Sequence, residues 1–172
     1  MRICSQTIVT AAVFAAALGT TTAPSRAQDA GRKPAAAGAA AQHPIYTPDQ
    51  VKWGPGSPAL PAGAEMAVLD GDPAAQGGYV LRVKFPDGYR VPPHWHPADE
   101  NVTVVSGTLM AGMGDKFDVA AMKTLPAGSF VNMKANMRHY VQAKGATVVQ
   151  VHGIGPFAVT YVNPADDPRN KK

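Results

Sequence analysis

The chain has 172 residues, of which 45% are hydrophobic and 16% charged; it can bury one core, is short for two ordinary domains, and does not have the composition of a disordered chain. Seventeen glycines and sixteen prolines disfavour long helices and favour short strands joined by turns. The formal charge of +4 comes from 16 basic and 12 acidic side chains, scattered and not striped with aromatics, which gives nucleic-acid binding little support.

Met1 and Arg2 open the chain with positive charge, and an eleven-residue apolar run follows from Ile8 to Leu18. That run is too short to span a bilayer, which takes about 20 residues. Ser25-Arg26-Ala27 then offers a small-x-small cleavage site. Residues 1–27 therefore read as a secretory signal peptide, with an uncleaved anchor as the alternative, and the mature protein is expected to be periplasmic or secreted and free of the membrane. Cys4, the only cysteine, leaves with this segment, so the mature chain has no disulfide and no thiolate nucleophile. Loss of Arg2 and Arg26 lowers the formal charge to +2. Residues 28–44 are rich in Ala, Gly, Lys and Arg and read as a flexible tether. Residues 45–162 are expected to form the single folded domain, and 163–172 a polar tail with two prolines.

Within the folded part, Tyr79, Leu81, Val83 and Phe85 alternate with Val80, Arg82 and Lys84, the period of a half-buried strand. Val102 and Val104 alternate in the same way, and Thr108 to Met110 resumes beyond Gly107. Phe130 to Met133, His139 to Gln142, Thr147 to His152 and Phe157 to Val162 read as further strands. Pro86-Asp87-Gly88, Ser106-Gly107, Pro126-Ala127-Gly128 and Lys144-Gly145 read as the turns between them. Asp115 to Leu125 is ambiguous and could hold a helical turn. Many short strands at this spacing predict an all-β sandwich or small barrel.

The segment Pro92-Pro93-His94-Trp95-His96-Pro97-Ala98-Asp99-Glu100 carries the chemistry. Alternate side chains of an extended segment share a face, so His94 and His96 point one way and Trp95 the other. Two imidazoles so placed can meet one metal ion, and the flanking prolines stiffen the backbone that presents them. Glu100 can turn back to the same ion. His139, at the start of a later strand, is available as a third imidazole. Three imidazoles and a carboxylate suit one divalent Fe, Mn, Ni, Cu or Zn ion. In an octahedral ion they leave two positions open for substrate or dioxygen. The competing reading is that His94 and His96 merely face solvent.

Gly88, His94, His96, Glu100 and Gly107 fall at the spacing G-x5-H-x-H-x3-E-x6-G, which resembles the first motif of the cupin superfamily at all five fixed positions. The second motif, G-x5-P-x-G-x2-H-x3-N, is matched at Gly128 and His139, while Lys134, Asn136 and Ala143 replace its proline, glycine and asparagine. Asn136 is a mild departure, because Asn tolerates the left-handed conformation; these departures bear on a turn and leave the ligands intact. The resemblance spans roughly Val80 to His152 and is that of a small single-domain bacterial cupin. It implies a jelly-roll β-barrel with the metal inside and a homodimer formed by strand exchange.

Other residues have simpler readings. Val148, Gln150 and His152 share one strand face; were it interior, His152 could act as an acid or base, but a rim histidine is the simpler assignment. Tyr140 packs on the face opposite His139. Met110, Met113, Met133 and Met137 could be soft copper ligands, with core filling as the default. Arg82, Lys84 and Arg90 could attract an anion or form a solvated face. The sequence lacks phosphate-binding and dinucleotide loops and a serine-nucleophile elbow. Two functions remain. One is a metal-dependent enzyme on a small organic molecule, dioxygenase first and isomerase, lyase or decarboxylase next, with Glu100 as ligand and proton acceptor. The other is a non-catalytic metal-loaded barrel that binds a small ligand or senses metal.

Overall fold

The computed structural model describes residues 44–171. The expected signal peptide, Cys4 and all but the last residue of the expected tether lie outside these residues. The described chain contains nine strands: β1 (Gly54–Pro55), β2 (Glu65–Asp70), β3 (Gly77–Phe85), β4 (Arg90–Trp95), β5 (Glu100–Met113), β6 (Lys123–Pro126), β7 (Phe130–Met133), β8 (His139–Gly155) and β9 (Thr160–Tyr161). No described helix is long and apolar enough to cross a membrane.

Two long strands, β5 and β8, organise the barrel. Their outer halves belong to different parts of one curled sheet. From Glu100 to Val104, β5 pairs with β7 on one side and with the C-terminal half of β8 on the other. That half of β8 continues into β3, then β2 and β1. Beyond Thr108, β5 pairs with β6 and with the N-terminal half of β8, which continues into β4 and β9. All these pairings are antiparallel, and the result is the expected jelly-roll barrel.

The bend between the halves corrects the sequence reading. Ser106-Gly107 and Lys144-Gly145 do not end strands; they are irregularities inside β5 and β8, where the register shifts between Val104 and Thr108. Gly107 has φ 75°, and a Cβ there would strike the backbone of Ala146 and Thr147. The fully buried Thr147 hydroxyl accepts from the Thr108 N–H at 3.2 Å and lies 3.0 Å from the Thr108 and Gly145 carbonyls, so the buried bend keeps its polar groups paired.

The last expected strand is likewise shorter. Only Thr160–Tyr161 pairs, because the backbone of Phe157 donates to Pro73 O at 2.6 Å and that of Val162 to Pro93 O at 2.9 Å, away from a ladder. Asp115 to Leu125 contains a 3-10 turn at Val119–Ala121, started by Asp118 accepting from Ala120 N–H. Two more 3-10 turns, Pro164–Asp166 and Pro168–Asn170, occupy the C-terminal segment. Arg169 ties that segment to the barrel by donating to Val159 O at 2.9 Å.

The core follows the two-residue period. Leu81, Val83 and Phe85 of β3, Val102, Val104 and Leu109 of β5, and Val149 and Val151 of β8 are all buried. Residues 56–64, between β1 and β2, close one end of the barrel. They are held there by the Tyr161 hydroxyl donating to Ala59 O at 2.8 Å and the Tyr89 hydroxyl donating to Pro61 O.

Candidate metal centre

His94 and His139 are direct cross-strand partners on β4 and β8. The pairing of β4 lapses between Val91 and His94, across Pro92 and Pro93, since proline has no N–H to give a ladder. The segment thus bulges and turns His94 and His96 into the barrel, where they are 5% and 3% exposed, while Trp95 is half-buried. His139 is buried as well, and Glu100, the first residue of β5, closes the group from below.

One ring nitrogen of each of His94, His96 and His139 lies within 4.8 Å of those of the other two. Glu100 Oε2 is 3.4 Å from His96 Nε2 and 3.6 Å from His139 Nε2. Each imidazole is oriented from behind by a backbone carbonyl. Nδ1 of His94 faces Pro92 O at 2.7 Å, that of His96 faces Ala158 O at 2.8 Å, and that of His139 faces Met137 O at 3.0 Å. A carbonyl only accepts, so each Nδ1 carries the proton and each Nε2 is the atom left to bind. His96 Nε2 is buried without a hydrogen-bond partner. Such an atom is costly to bury unless something binds it.

The electrostatics fit the same purpose. Burial, then the neighbouring His139 and His96, pushes His94 down to about 3, so it is neutral across the working range. Burial works against a charge on His96, but Glu100 beside it wins and raises its proton affinity. Burial would raise Glu100, yet His139 and His96 within reach hold it below the usual carboxylate range. The group is an anionic carboxylate, a neutral His94 and a His96 whose proton affinity Glu100 raises. Its donors, imidazole nitrogen and carboxylate oxygen, fit a divalent transition metal. Three buried imidazoles could hold such an ion.

Two of the departures from the second motif have local explanations. Asn136, in place of glycine, has φ 63°, and its N–H donates to His96 O at 2.8 Å. Lys134, in place of proline, donates to Asp99 Oδ2 at 2.8 Å, while Asp99 Oδ1 accepts from Ala135 N–H at 2.9 Å. The residue before Glu100 therefore clamps the turn that leads to His139. Nothing in the sequence pattern singled out Asp99.

A cavity of about 60 Å³ opens beside the imidazoles, lined by Leu81, Val83, Val102, Leu109, Met133, Val149 and Val151, with Phe157 stacked 4.8 Å from the His96 ring. Since Val149 and Val151 face the cavity, the face of β8 carrying Val148, Gln150 and His152 is not interior. Gln150 accepts from Arg82 Nε at 3.2 Å, and His152 pairs by backbone with Val80 and Asn101. Arg82, Lys84 and Arg90 stay outside too: Lys84 binds Glu65 at 2.9 Å and Arg90 lies over Phe117. Tyr140 is buried away from the cavity, donating to Asp118 O at 3.2 Å. Ser57 and Leu60, from the connection between β1 and β2, and Met66 of β2 also line the cavity, and the sequence reading singled out none of them.

The profile of the family described as a domain of unknown function (DUF4437) matches residues 19–160. The chain belongs to this family. None of the curated proteins matches it. Solved structures share the fold at low identity. A candidate acetylacetone dioxygenase from Methylibium petroleiphilum PM1 is 22% identical, with a TM-score of 0.56 over 74% of this chain and 85% of that one. The polyketide cyclase RemF from Streptomyces resistomycificus is 16% identical, with a TM-score of 0.57 over 74% and 91%. An RmlC-like cupin from Shewanella frigidimarina NCIMB 400 is 13% identical, with a TM-score of 0.51 over 66% and 91%. The fold is that of the cupins.

Proposed function

We propose that His94, His96, His139 and Glu100 hold one divalent transition metal (Fe, Mn, Ni, Cu or Zn) and that the barrel is a metal-dependent enzyme acting on a small organic molecule, foremost as a dioxygenase. The observation that supports this most directly is the set of three buried imidazoles whose Nδ1 atoms all face backbone carbonyls, leaving three Nε2 lone pairs and a carboxylate converging. The ion would supply Lewis acidity and open positions for an oxygen-bearing substrate. His94 would bind without first losing a proton. Glu100 would serve as ligand and, on releasing the ion, as the acceptor of a substrate proton at Oε2. The apolar walls keep water from the reacting centre. The names of the candidate acetylacetone dioxygenase and of the polyketide cyclase suggest carbonyl compounds as the first substrates to try.

The test is metal analysis of natively purified protein, followed by oxygen uptake with small enolic and catecholic compounds on the Fe, Mn and Ni forms. One metal per chain and oxygen consumption with at least one compound are expected; no uptake by any metal form removes the dioxygenase assignment. We also propose an exported homodimer, checked by the mass of the mature N-terminus and by light scattering.

A further inference from the structure

The cavity lining carries information about its occupant that the metal ligands do not. Among the described residues, Ser57 is, apart from His94, His96, Glu100 and His139, the only lining residue with a polar side chain; the walls are apolar, and none of the described Lys, Arg, Asp, Asn or Gln side chains lines them. A second charge on a ligand would therefore be buried without a partner, as would the hydroxyls of a polyol, and each unpaired polar group is costly. The cavity of about 60 Å³ is also well under the roughly 150 Å³ that takes benzene.

The charge of the centre narrows the class further. Neutral imidazoles and one carboxylate around a divalent ion leave one net positive charge in an apolar chamber. A monoanionic oxygen donor cancels that charge; a dianion overshoots it and a neutral molecule leaves it standing, and either residue of charge is unfavourable away from water. We infer that the ligand taken by this cavity is a short, apolar-bodied monoanion with its oxygen donors at one end, the class of small enolates and short-chain carboxylates, and that dianions and sugars are excluded. The inference rests on the metal reading above and assigns what that reading left open.

Calorimetry on the nickel-loaded full chain tests it, with acetate, succinate and ethylene glycol as probes at neutral pH and the metal-free chain as control. Acetate is expected to bind at least tenfold more tightly than succinate, to need the metal, and ethylene glycol, of the same heavy-atom count as acetate, not to saturate. Met66→Lys, at a half-buried wall position, should narrow the gap between acetate and succinate at least tenfold by giving the second carboxylate a partner. Succinate or ethylene glycol binding to the loaded native chain as tightly as acetate overturns the inference, and so does a loaded chain that binds none of the three. A chain that takes up no nickel is read separately, from metal content, and overturns the metal assignment beneath it together with the inference.

Discussion

His139 and His152 lie on the same strand, β8, thirteen residues apart, and have different surroundings. His139 is 1% exposed, paired across the strands with His94, and its ring is fixed by Met137 O. His152 is half-buried on the outer face, where Asn101 Nδ2 donates to its backbone carbonyl at 3.2 Å. The difference is one of parity. His139 shares its side of the strand with the cavity-lining Val141, Val149 and Val151, whereas His152 shares its side with Gln150, and successive strand residues face opposite ways. Identical imidazoles thus become a candidate ligand and an outer-face residue because they fall on opposite sides of the barrel wall.

The comparison can be broken most directly at the ligand. His139→Ala should lower metal affinity by more than about 100-fold, because even outer-shell partners of a metal ligand are commonly worth 10–100-fold. His152→Ala should leave the metal stoichiometry at its native value, so equal metal loss in both variants, measured by elemental analysis, would abolish the distinction. The next effect is in packing. Val151→Ala on the inner face should cost about 2 kcal/mol in chemical denaturation through lost apolar burial and a residual cavity. Gln150→Ala on the outer face should cost about 1 kcal/mol or less, the net worth of its hydrogen bond with Arg82.

Protons provide a third, smaller lever. Glu100 raises His96 above its ordinary 6.5, so protons compete with a metal for this imidazole as pH falls. Metal affinity should then fall about tenfold per unit as pH drops below that raised value and level off above it. His94, held down to about 3, adds no competing proton in this range. Metal titrations in buffers of different ionisation enthalpy should detect the released proton; a pH-independent affinity would show that His96 is not a ligand. The smallest expected effect is at Asp99, where Asp99→Ala removes the clamp on the turn before His139. It should weaken metal binding by about tenfold or less and cost about 1 kcal/mol in thermal denaturation.

Much of the fold was legible because burial on one strand face writes a two-residue period into the chain. Tyr79 to Phe85 and Val102 to Val104 appear in the structure as read. The glycines were harder. Gly107 and Gly145 both have positive φ, as turn glycines do, but long-range pairing carries β5 and β8 through them, so they bend strands and do not end them. The fragment Phe157 to Val162 has strand composition, yet its amides find Pro73 and Pro93 instead of a neighbouring ladder.

The candidate site shows the same division. Sequence alone determined that His94, His96 and Glu100 stand within seven residues of each other behind two prolines, since spacing on an extended backbone decides which side chains can share a face. It also pointed to His139 as a third imidazole. Only the tertiary structure decided that His139 comes opposite His94, that each Nδ1 meets a carbonyl, and that Val149 and Val151, not Gln150 and His152, look into the cavity. Those outcomes depend on strand register and on the barrel's closure by residues 56–64, contacts between distant parts of the chain that no local period records.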